Sequence, residues 1–280
     1  MKKITAILLM SAAALLIGSC SQGEKRISLR FKFEPGMKLQ YEQTSKVREK
    51  VLEADSIIYE HAEEYKVDIE QEFVKFVDDT AAQVSEHAIW HFMRPSKEDS
   101  TKMEPYQTER TTFMTVLPNG KIVEVEFVDL KEQSRIKYIK NYYEQGLPVF
   151  PSGEKPVGYN WTQTTKVVLP NESMEASTTF LIKSLVRESG YDCALIEYEG
   201  NLVIPVEPAA KDSTMRSGLD KIKSKGHMYF AYKEGLVVLQ KETWKVDGDR
   251  SRLKDGKMVN FKVDVENEAV YALKKIGISE

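Results

Sequence analysis

Apolar and polar residues alternate with a period of two along most of this chain, and this pattern limits the folds open to it. The alternation begins at Leu29, Phe31 and Phe33, which are separated by charged residues, and it continues to about residue 265. Such alternation indicates strands with one buried face and one solvated face. Pro118-Asn119-Gly120 separates two alternating runs, and an Asn-Gly pair in that position predicts a hairpin. The chain is therefore predicted to be mainly β, within the α+β class, with long, curved antiparallel strands.

The alternating runs also predict the individual strands. Residues 211–218 have no such pattern and are predicted to form a loop. The predicted strands cover 29–33, 39–43, 65–70, 74–77, 82–92, 111–117, 122–127, 161–169, 177–187, 193–206, 222–232, 236–246 and 258–265.

One segment has helical spacing instead. Asp129 and Glu132 form a capping-box pattern, and apolar residues follow at intervals of three and four. Gly146 and Pro148 then provide stop signals. The pattern predicts one helix, from Asp129 to Gln145, that crosses the sheet.

The two halves of the chain resemble each other. The segment from Tyr41 to Val47 is similar to the segment from Trp161 to Val167, and the hairpin at Asn119-Gly120 has a counterpart at Glu234-Gly235. Polar strands also resemble one another by chance, so the duplication stays an open alternative. We expect residues 28–280 to form a single β-rich domain of two related halves, about 28–127 and 156–274, joined by the helix at 129–145.

The N-terminal residues have the layout of an export signal. Lys2 and Lys3 precede an apolar run from Ile4 to Ile17, which is too short to span a bilayer as a helix. Small residues then lead into Cys20. We therefore predict that residues 1–19 are a signal peptide.

The sequence Ile17-Gly18-Ser19-Cys20 resembles the lipobox of bacterial lipoproteins. This resemblance implies that Cys20 becomes the acylated first residue, carrying chains such as palmitate, and that residues 20–27 form a lipidated tether. Ser21 in place of aspartate favours the outer membrane, facing either the periplasm or the outside. The alternative is an ordinary secretory signal, with Cys20 free to pair with Cys193.

The charge and the cysteine count exclude several classes of protein. The chain has 40 basic and 43 acidic residues and a net charge of −3, so it lacks the basic surface that nucleic-acid binding requires. Two cysteines are too few for a disulfide-stapled scaffold or a four-thiolate metal site. Cys193 lies in an apolar run and is predicted to be a buried structural residue.

No catalytic or metal-binding motif is present. His87 and His91 are four residues apart, but Ala88 stands where a zinc protease needs glutamate. His61 and His227 have no supporting pattern as a third ligand. We therefore predict no catalytic, metal or cofactor residues and a protein that is not an enzyme. A hydrolase that uses two carboxylates distant in sequence stays an alternative.

Two further groups receive structural interpretations. Asp247-Gly248-Asp249 together with Asp255-Gly256 does not fit a calcium-loop pattern and is interpreted as a turn between two strands. The three tryptophans and thirteen tyrosines could line a groove for lipid or glycan, but most of them fall on the apolar side of their predicted strands, which favours core packing. The tryptophans are Trp90, Trp161 and Trp244.

After the lipobox, the segment from Phe33 to Tyr41 and the segment from Val157 to Trp161 resemble uncharacterised β-rich lipoprotein families common in Bacteroidota. Long curved strands with a crossing helix are also similar in fold to the LolA-like half-barrels that carry lipid or lipoprotein. These resemblances imply a lipid-anchored, non-enzymatic envelope protein that binds a hydrophobic ligand or a lipoprotein partner on a concave sheet face. A structural or accessory subunit of an envelope complex is the alternative.

Overall fold

The computed structural model describes residues 25–78, 80–96, 102–127, 140, 143–144, 146–168, 173–206 and 215–278. The predicted signal peptide, Cys20 and the tether up to residue 24 lie outside the described residues. The predicted helix from Asp129 to Gln145 also lies mostly outside them, so it stays a prediction.

The described residues are mainly β, as predicted, and form thirteen strands. Strand-forming aromatic and β-branched residues recur at every second position in most of them, which suits a pleated, half-buried surface. The strands are β1 Arg26–Ser28, β2 Met37–Glu53, β3 Ser56–Phe76, β4 Ala82–Pro95, β5 Met103–Val116, β6 Ile122–Phe127, β7 Glu154–Pro156, β8 Asn160–Val168, β9 Ser173–Glu188, β10 Tyr191–Val206, β11 Met215–Ala231, β12 Leu236–Lys254 and β13 Lys257–Ile278.

Eleven of these strands form one antiparallel sheet, and β1 pairs with β7 in a small second sheet. The order in the large sheet is β6-β5-β4-β3-β2-β13-β12-β11-β10-β9-β8. It consists of two meanders, β2–β6 and β8–β13, which meet where β2 pairs with β13. We call this contact the seam. Whether the two meanders descend from a duplication stays a prediction.

Three predicted elements are wrong in whole or in part. Residues 29–33 are not a strand, because the backbone amides of Phe31 and Lys32 donate hydrogen bonds to turn carbonyls of two different hairpins instead. The loop predicted at 211–218 is wrong for residues 215–218, which belong to β11, because Gly218 pairs with strands on both sides. The turn predicted from Asp247-Gly248-Asp249 and Asp255-Gly256 is confirmed only at Asp255-Gly256, which joins β12 to β13. Residues 247–249 lie within β12, where Gly248 pairs with Asp220 and Val263.

One end of the large sheet is closed by an aromatic core. The Phe31 amide donates a hydrogen bond to the Pro118 carbonyl at 2.6 Å, and the Phe150 amide donates one to the Asn119 carbonyl at 2.7 Å. The Phe150 ring packs against Phe31 and Phe230, with centroid distances of 5.3 and 4.6 Å. These contacts fix residues 29–33 over the hairpin turns. They also fix residues 147–150, which we call the crossing segment. We call this end of the sheet the closed end.

Gly120 is required at the closed end. Its φ is +88°, and a Cβ there would lie 2.3 Å from the Pro148 carbonyl oxygen. Only glycine satisfies both the turn and this close approach. The Asn-Gly hairpin predicted from the sequence therefore also positions the crossing segment.

The opposite end carries the long hairpin tips, and we call it the open end. Residues 56–64, the first part of β3, are all exposed. Large apolar side chains are exposed close to the tips of three hairpins. These are Ile57, Ile58, Tyr59, Met93, Met103 and Met258.

Candidate functional site

One face of the large sheet encloses a cavity of about 520 Å³. Side chains from β2–β5 and β9–β13 line this inner face, and Phe31, Phe33 and Leu147 cover it near the closed end. Strands as distant in the sheet order as β5 and β9 share the cavity, so the sheet bends around it. The volume falls within the range of roughly 300–1,000 Å³ that is typical of small-molecule sites.

The wall formed by β2–β5 is mainly apolar. Its side chains follow the two-residue period of the strands, which brings alternate residues to the inner face. Where β2 meets β13, Tyr41 and Tyr271 stack with a centroid distance of 4.4 Å. Burial raises the pKa of both tyrosines, which keeps their rings uncharged. Buried apolar residues of this wall are Leu39, Val67, Ile69, Val84, Ala88 and Met114.

A hydrogen-bonded network surrounds Glu86 in this wall. The Tyr143 hydroxyl donates to Glu86 Oε1 at 2.8 Å, and Gln71 Nε2 donates to Glu86 Oε2 at 2.9 Å. Arg110 donates to the Tyr143 hydroxyl at 3.3 Å and lies 5.0 Å from the centre of the Trp90 ring. Burial, followed by the charge of Glu86, raises the pKa of Tyr143. The Tyr143 hydroxyl therefore stays protonated and remains a donor to the carboxylate.

A second carboxyl group, Glu242 on β12, faces the cavity beside the seam. Burial raises the pKa of Glu242 to about 7, and a hydrogen bond with Tyr198 limits the increase. Gln240 Nε2 donates to the Tyr198 hydroxyl at 2.7 Å. None of the ion pairs among the described residues includes Glu242, so this carboxyl is held by neutral groups alone.

Gly226 makes the contact between Tyr198 and Glu242 geometrically feasible. Gly226 lies on β11, directly between Tyr198 on β10 and Glu242 on β12. A Cβ at this position would lie 2.6 Å from the Tyr198 hydroxyl oxygen and 2.4 Å from the Lys241 carbonyl oxygen. The missing side chain therefore leaves the space through which the tyrosine reaches across the strand.

Asn267 on β13 is the next inner-face group along the seam. Its side chain lines the cavity and is only 4% exposed. The Asn267 Oδ1 atom has no hydrogen-bond partner among the described residues. A buried acceptor without a partner is rare in folded proteins and calls for an explanation.

Charged pairs lie on the inner face between the cavity and the open end. Arg250 donates two hydrogen bonds to Asp220, at 2.7 and 3.2 Å. Arg252 donates to Glu53 at 2.7 Å, and the two residues lie on strands separated by β13. The Arg250–Asp220 pair joins β12 to β11, and the Arg252–Glu53 pair connects the two meanders across the seam.

The histidines and the cysteine considered from the sequence as site residues, His87, His91 and Cys193, lie away from this cavity. His87 and His91 are on the outer face of β4, where they contact Glu109 at 3.7 Å and Asp68 at 2.8 Å. In the part of the chain that the structure describes, no group of three or more His, Cys, Asp or Glu residues is arranged to hold a metal ion. Cys193 is fully buried, as predicted, and burial raises the pKa of its thiol to about 11.

The tryptophans divide between core and cavity. Trp161 stacks on Phe180 with a centroid distance of 5.0 Å, in agreement with core packing. Trp90 and Trp244 line the cavity, so core packing is not their whole role.

The polar residues of the cavity were missed in the sequence. Gln43, Gln71 and Glu86 each occupy the apolar phase of an alternating strand, and this misplaced polarity was the available signal. Glu242 and Asn267 gave the same signal on β12 and β13. Their proximity depends on strand register, which is a property of the folded sheet.

No model of a known protein family and no curated protein sequence matches this chain. Among the described residues, no helix is long and apolar enough to span a membrane. We therefore base the proposed function on the cavity.

Proposed function

We propose that this protein is a lipid-anchored, non-enzymatic envelope protein that binds a hydrophobic or amphiphilic ligand in the cavity of its large sheet. The observation that carries the proposal is the cavity of about 520 Å³, with its apolar wall on β2–β5. Ligand sites of this kind combine apolar walls with a few polar groups that fix orientation. The likeness to uncharacterised Bacteroidota lipoproteins and to LolA-like carriers belongs to the same proposal.

The proposed anchor is an acylated Cys20 in the outer membrane. Arg26 pairs with Pro156, and Lys25 lies 6.0 Å from the centre of the Tyr232 ring, so the chain enters the described fold at its closed end. The few residues between Cys20 and Lys25 span at most roughly 18 Å when extended. On this proposal the closed end stays near the membrane and the open end points away from it.

The Cys20→Ser variant tests the anchor in bacterial cells labelled with a palmitate analogue. We expect the unchanged protein to be labelled and to sediment with membranes, whereas Cys20→Ser loses both properties. Cys193→Ser is the matched control, because it removes the other thiol from a buried position, and it should keep the label. Equal labelling of all three proteins would contradict acylation at Cys20.

Ligand binding is tested by native mass spectrometry of the purified protein and by thermal shifts across a lipid panel. A ligand at 100 times its Kd stabilises the folded state by about 2.7 kcal/mol, which raises Tm by roughly 5–10 °C for a chain of this size. Protein that carries no lipid and shows no shift with any lipid would refute the proposal.

The Ala269→Phe variant tests whether the ligand binds inside the cavity. Ala269 lines the cavity on β13, and a phenyl ring there fills space that the ligand needs. Ala272 is on the same strand but on the outer face, opposite Glu42, so Ala272→Phe is the matched control. We expect Ala269→Phe to weaken binding at least ten-fold and Ala272→Phe to leave it unchanged. Equal effects of the two substitutions would place the ligand elsewhere.

A second candidate function is that of an accessory subunit in an envelope complex. The exposed apolar side chains near the three hairpin tips of the open end favour it, since such groups often contact a partner. Crosslinking from the tips, for example at Ile58, should then capture one partner in a fixed ratio. Scattered products of low yield would argue against this function.

A further inference from the structure

The polar groups beside the seam form a notch in the cavity wall. Ala269 pairs with Glu242 on one side and with Ser45 on the other, and Asn267 is two residues away on the same face of β13. The Ala269 side chain is a single methyl group, shorter than the side chains of Glu242 and Asn267, and all three residues line the cavity. We call these three cavity-lining residues the seam notch.

The polar atoms of the notch include unused hydrogen-bond acceptors. The Asn267 Oδ1 atom is a buried acceptor without a partner among the described residues. The Glu242 carboxyl adds acceptor oxygens and takes part in no ion pair there. Ser45 is fully buried at the side of the notch, and its Oγ atom lies 3.2 Å from Gln43 Nε2, which donates to it.

The charge of Glu242 also restricts which ligand head groups fit the notch. At a pH above 7, Glu242 is increasingly ionised, and its burial leaves little water to screen that charge. An anionic group placed beside it is repelled, whereas a hydroxyl or an ammonium group satisfies both the carboxylate and Asn267.

We propose that the seam notch binds the polar end of the ligand and selects a head group that donates hydrogen bonds and carries no negative charge. Hydroxyl and amine groups share this chemistry. The hydrocarbon part of the ligand then lies along the apolar wall of β2–β5. This inference rests on the proposed function and specifies the class of ligand for the same cavity.

The test uses the full chain with the Cys20→Ser substitution, freed of co-purified lipid, and isothermal titration calorimetry at pH 8. Five amphiphiles share a 16-carbon chain and differ in the head group: monopalmitoylglycerol, hexadecylamine, palmitate, hexadecyl phosphate and methyl palmitate. We expect at least one of the two donors, the glycerol ester or the amine, to bind about ten-fold or more tightly than palmitate and hexadecyl phosphate. The donor that binds more tightly identifies whether the source is a hydroxyl or an amine.

Asn267→Leu removes the unpartnered acceptor at nearly constant volume. We expect it to weaken binding of the preferred donor about ten-fold and to leave methyl palmitate unchanged. Asn260 is exposed on the same strand, so Asn260→Leu is the matched control and should change neither affinity. Glu242→Gln should raise the affinity for palmitate, because it removes the repelling charge.

The outcomes separate the two levels of the argument. If none of the five amphiphiles binds, the proposed function itself fails. If all bind within about three-fold, or if the anions bind most tightly, the cavity binds ligand but the head-group inference is overturned. Unchanged donor affinity in Asn267→Leu would overturn it as well.

Discussion

Two glutamates face the same cavity in different surroundings. Glu86 accepts hydrogen bonds from Tyr143 and Gln71, and Arg110 binds the same tyrosine. Glu242 is held by Tyr198, with no basic side chain within ion-pair distance among the described residues. Burial consequently raises the pKa of Glu242 to about 7.

This difference separates a carboxyl group with a structural role from one that, on our proposal, serves binding. Gln71 and Tyr143 donate hydrogen bonds to Glu86 and Arg110 donates one to Tyr143, so the network braces the wall. The Glu242 side is not balanced in this way, because Asn267 Oδ1 is a buried acceptor without a partner among the described residues. An imbalance of this kind is what a ligand can correct.

The largest expected effect comes from breaking the braced side. Glu86→Leu removes the acceptor for Tyr143 and Gln71. It also removes the negative charge to which Arg110 is connected through Tyr143. We expect the free energy of unfolding, measured with urea, to fall by roughly 4 kcal/mol, because each of the two lost hydrogen bonds to a charged acceptor contributes about 1.5–3 kcal/mol. Glu109→Leu is the control, because the Glu109 side chain is 72% exposed and its removal should cost less than about 1 kcal/mol. Equal losses would mean that the Glu86 network is not a brace.

The second prediction concerns the pH dependence of stability. The pKa of Glu242 is raised from 4.5 to about 7 in the folded state, so folded protein holds the proton more tightly than unfolded protein. The stability from this group is fully present below pH 4.5 and is lost as the pH rises to 7. The loss is about 3 kcal/mol, since each pKa unit corresponds to about 1.4 kcal/mol.

Glu242→Gln isolates this contribution, because glutamine does not titrate. The difference in unfolding free energy between the two proteins should change between pH 4.5 and pH 7, with the wild type losing stability relative to Glu242→Gln. A constant difference from pH 4 to pH 8 would mean that Glu242 is not desolvated.

The smallest effect concerns the space that lets Tyr198 reach Glu242. Gly226→Ala puts a methyl group against the Tyr198 ring and the Lys241 carbonyl, and we expect a loss of about 2 kcal/mol in thermal or urea unfolding. Gly277→Ala is the matched control, because a Cβ at Gly277 meets no atom within 4 Å. If both variants lose the same stability, strand propensity rather than the close approach explains the glycine.

The sequence predicted the strands well where one face is buried. The runs at 82–92 and 193–206 lie within β4 and β10 because apolar packing enforces the alternation there. It predicted strand ends poorly towards the open end, where both faces of β3 and β12 carry polar residues. The turn misplaced at 247–249 is an example, because polar residues surround Gly248 on β12. This glycine makes room for Asp220, whose Oδ1 atom would lie 2.5 Å from a Cβ at that position.

The candidate site could be predicted only in part. Glutamine and glutamate on the apolar phase of a strand indicate a polar feature inside the fold, and Gln71 and Glu86 fit that rule. That Glu242, Asn267 and Ser45 meet at one place follows from the pairing of β13 with strands on both sides. This pairing joins the two meanders across a large sequence separation, and local pattern does not encode it.

The seam also forms late, because β13 follows every other strand of the large sheet in the chain. Met37 pairs with Ile278, so β2 keeps an open edge until the last strand in chain order arrives. Contacts this distant form slowly, and an unpaired edge invites other chains. A partly made chain lacks both β13 and the Asn267 acceptor that β13 carries. If the protein binds a ligand as we propose, binding therefore requires β13 to be in place and would report that the large sheet has assembled.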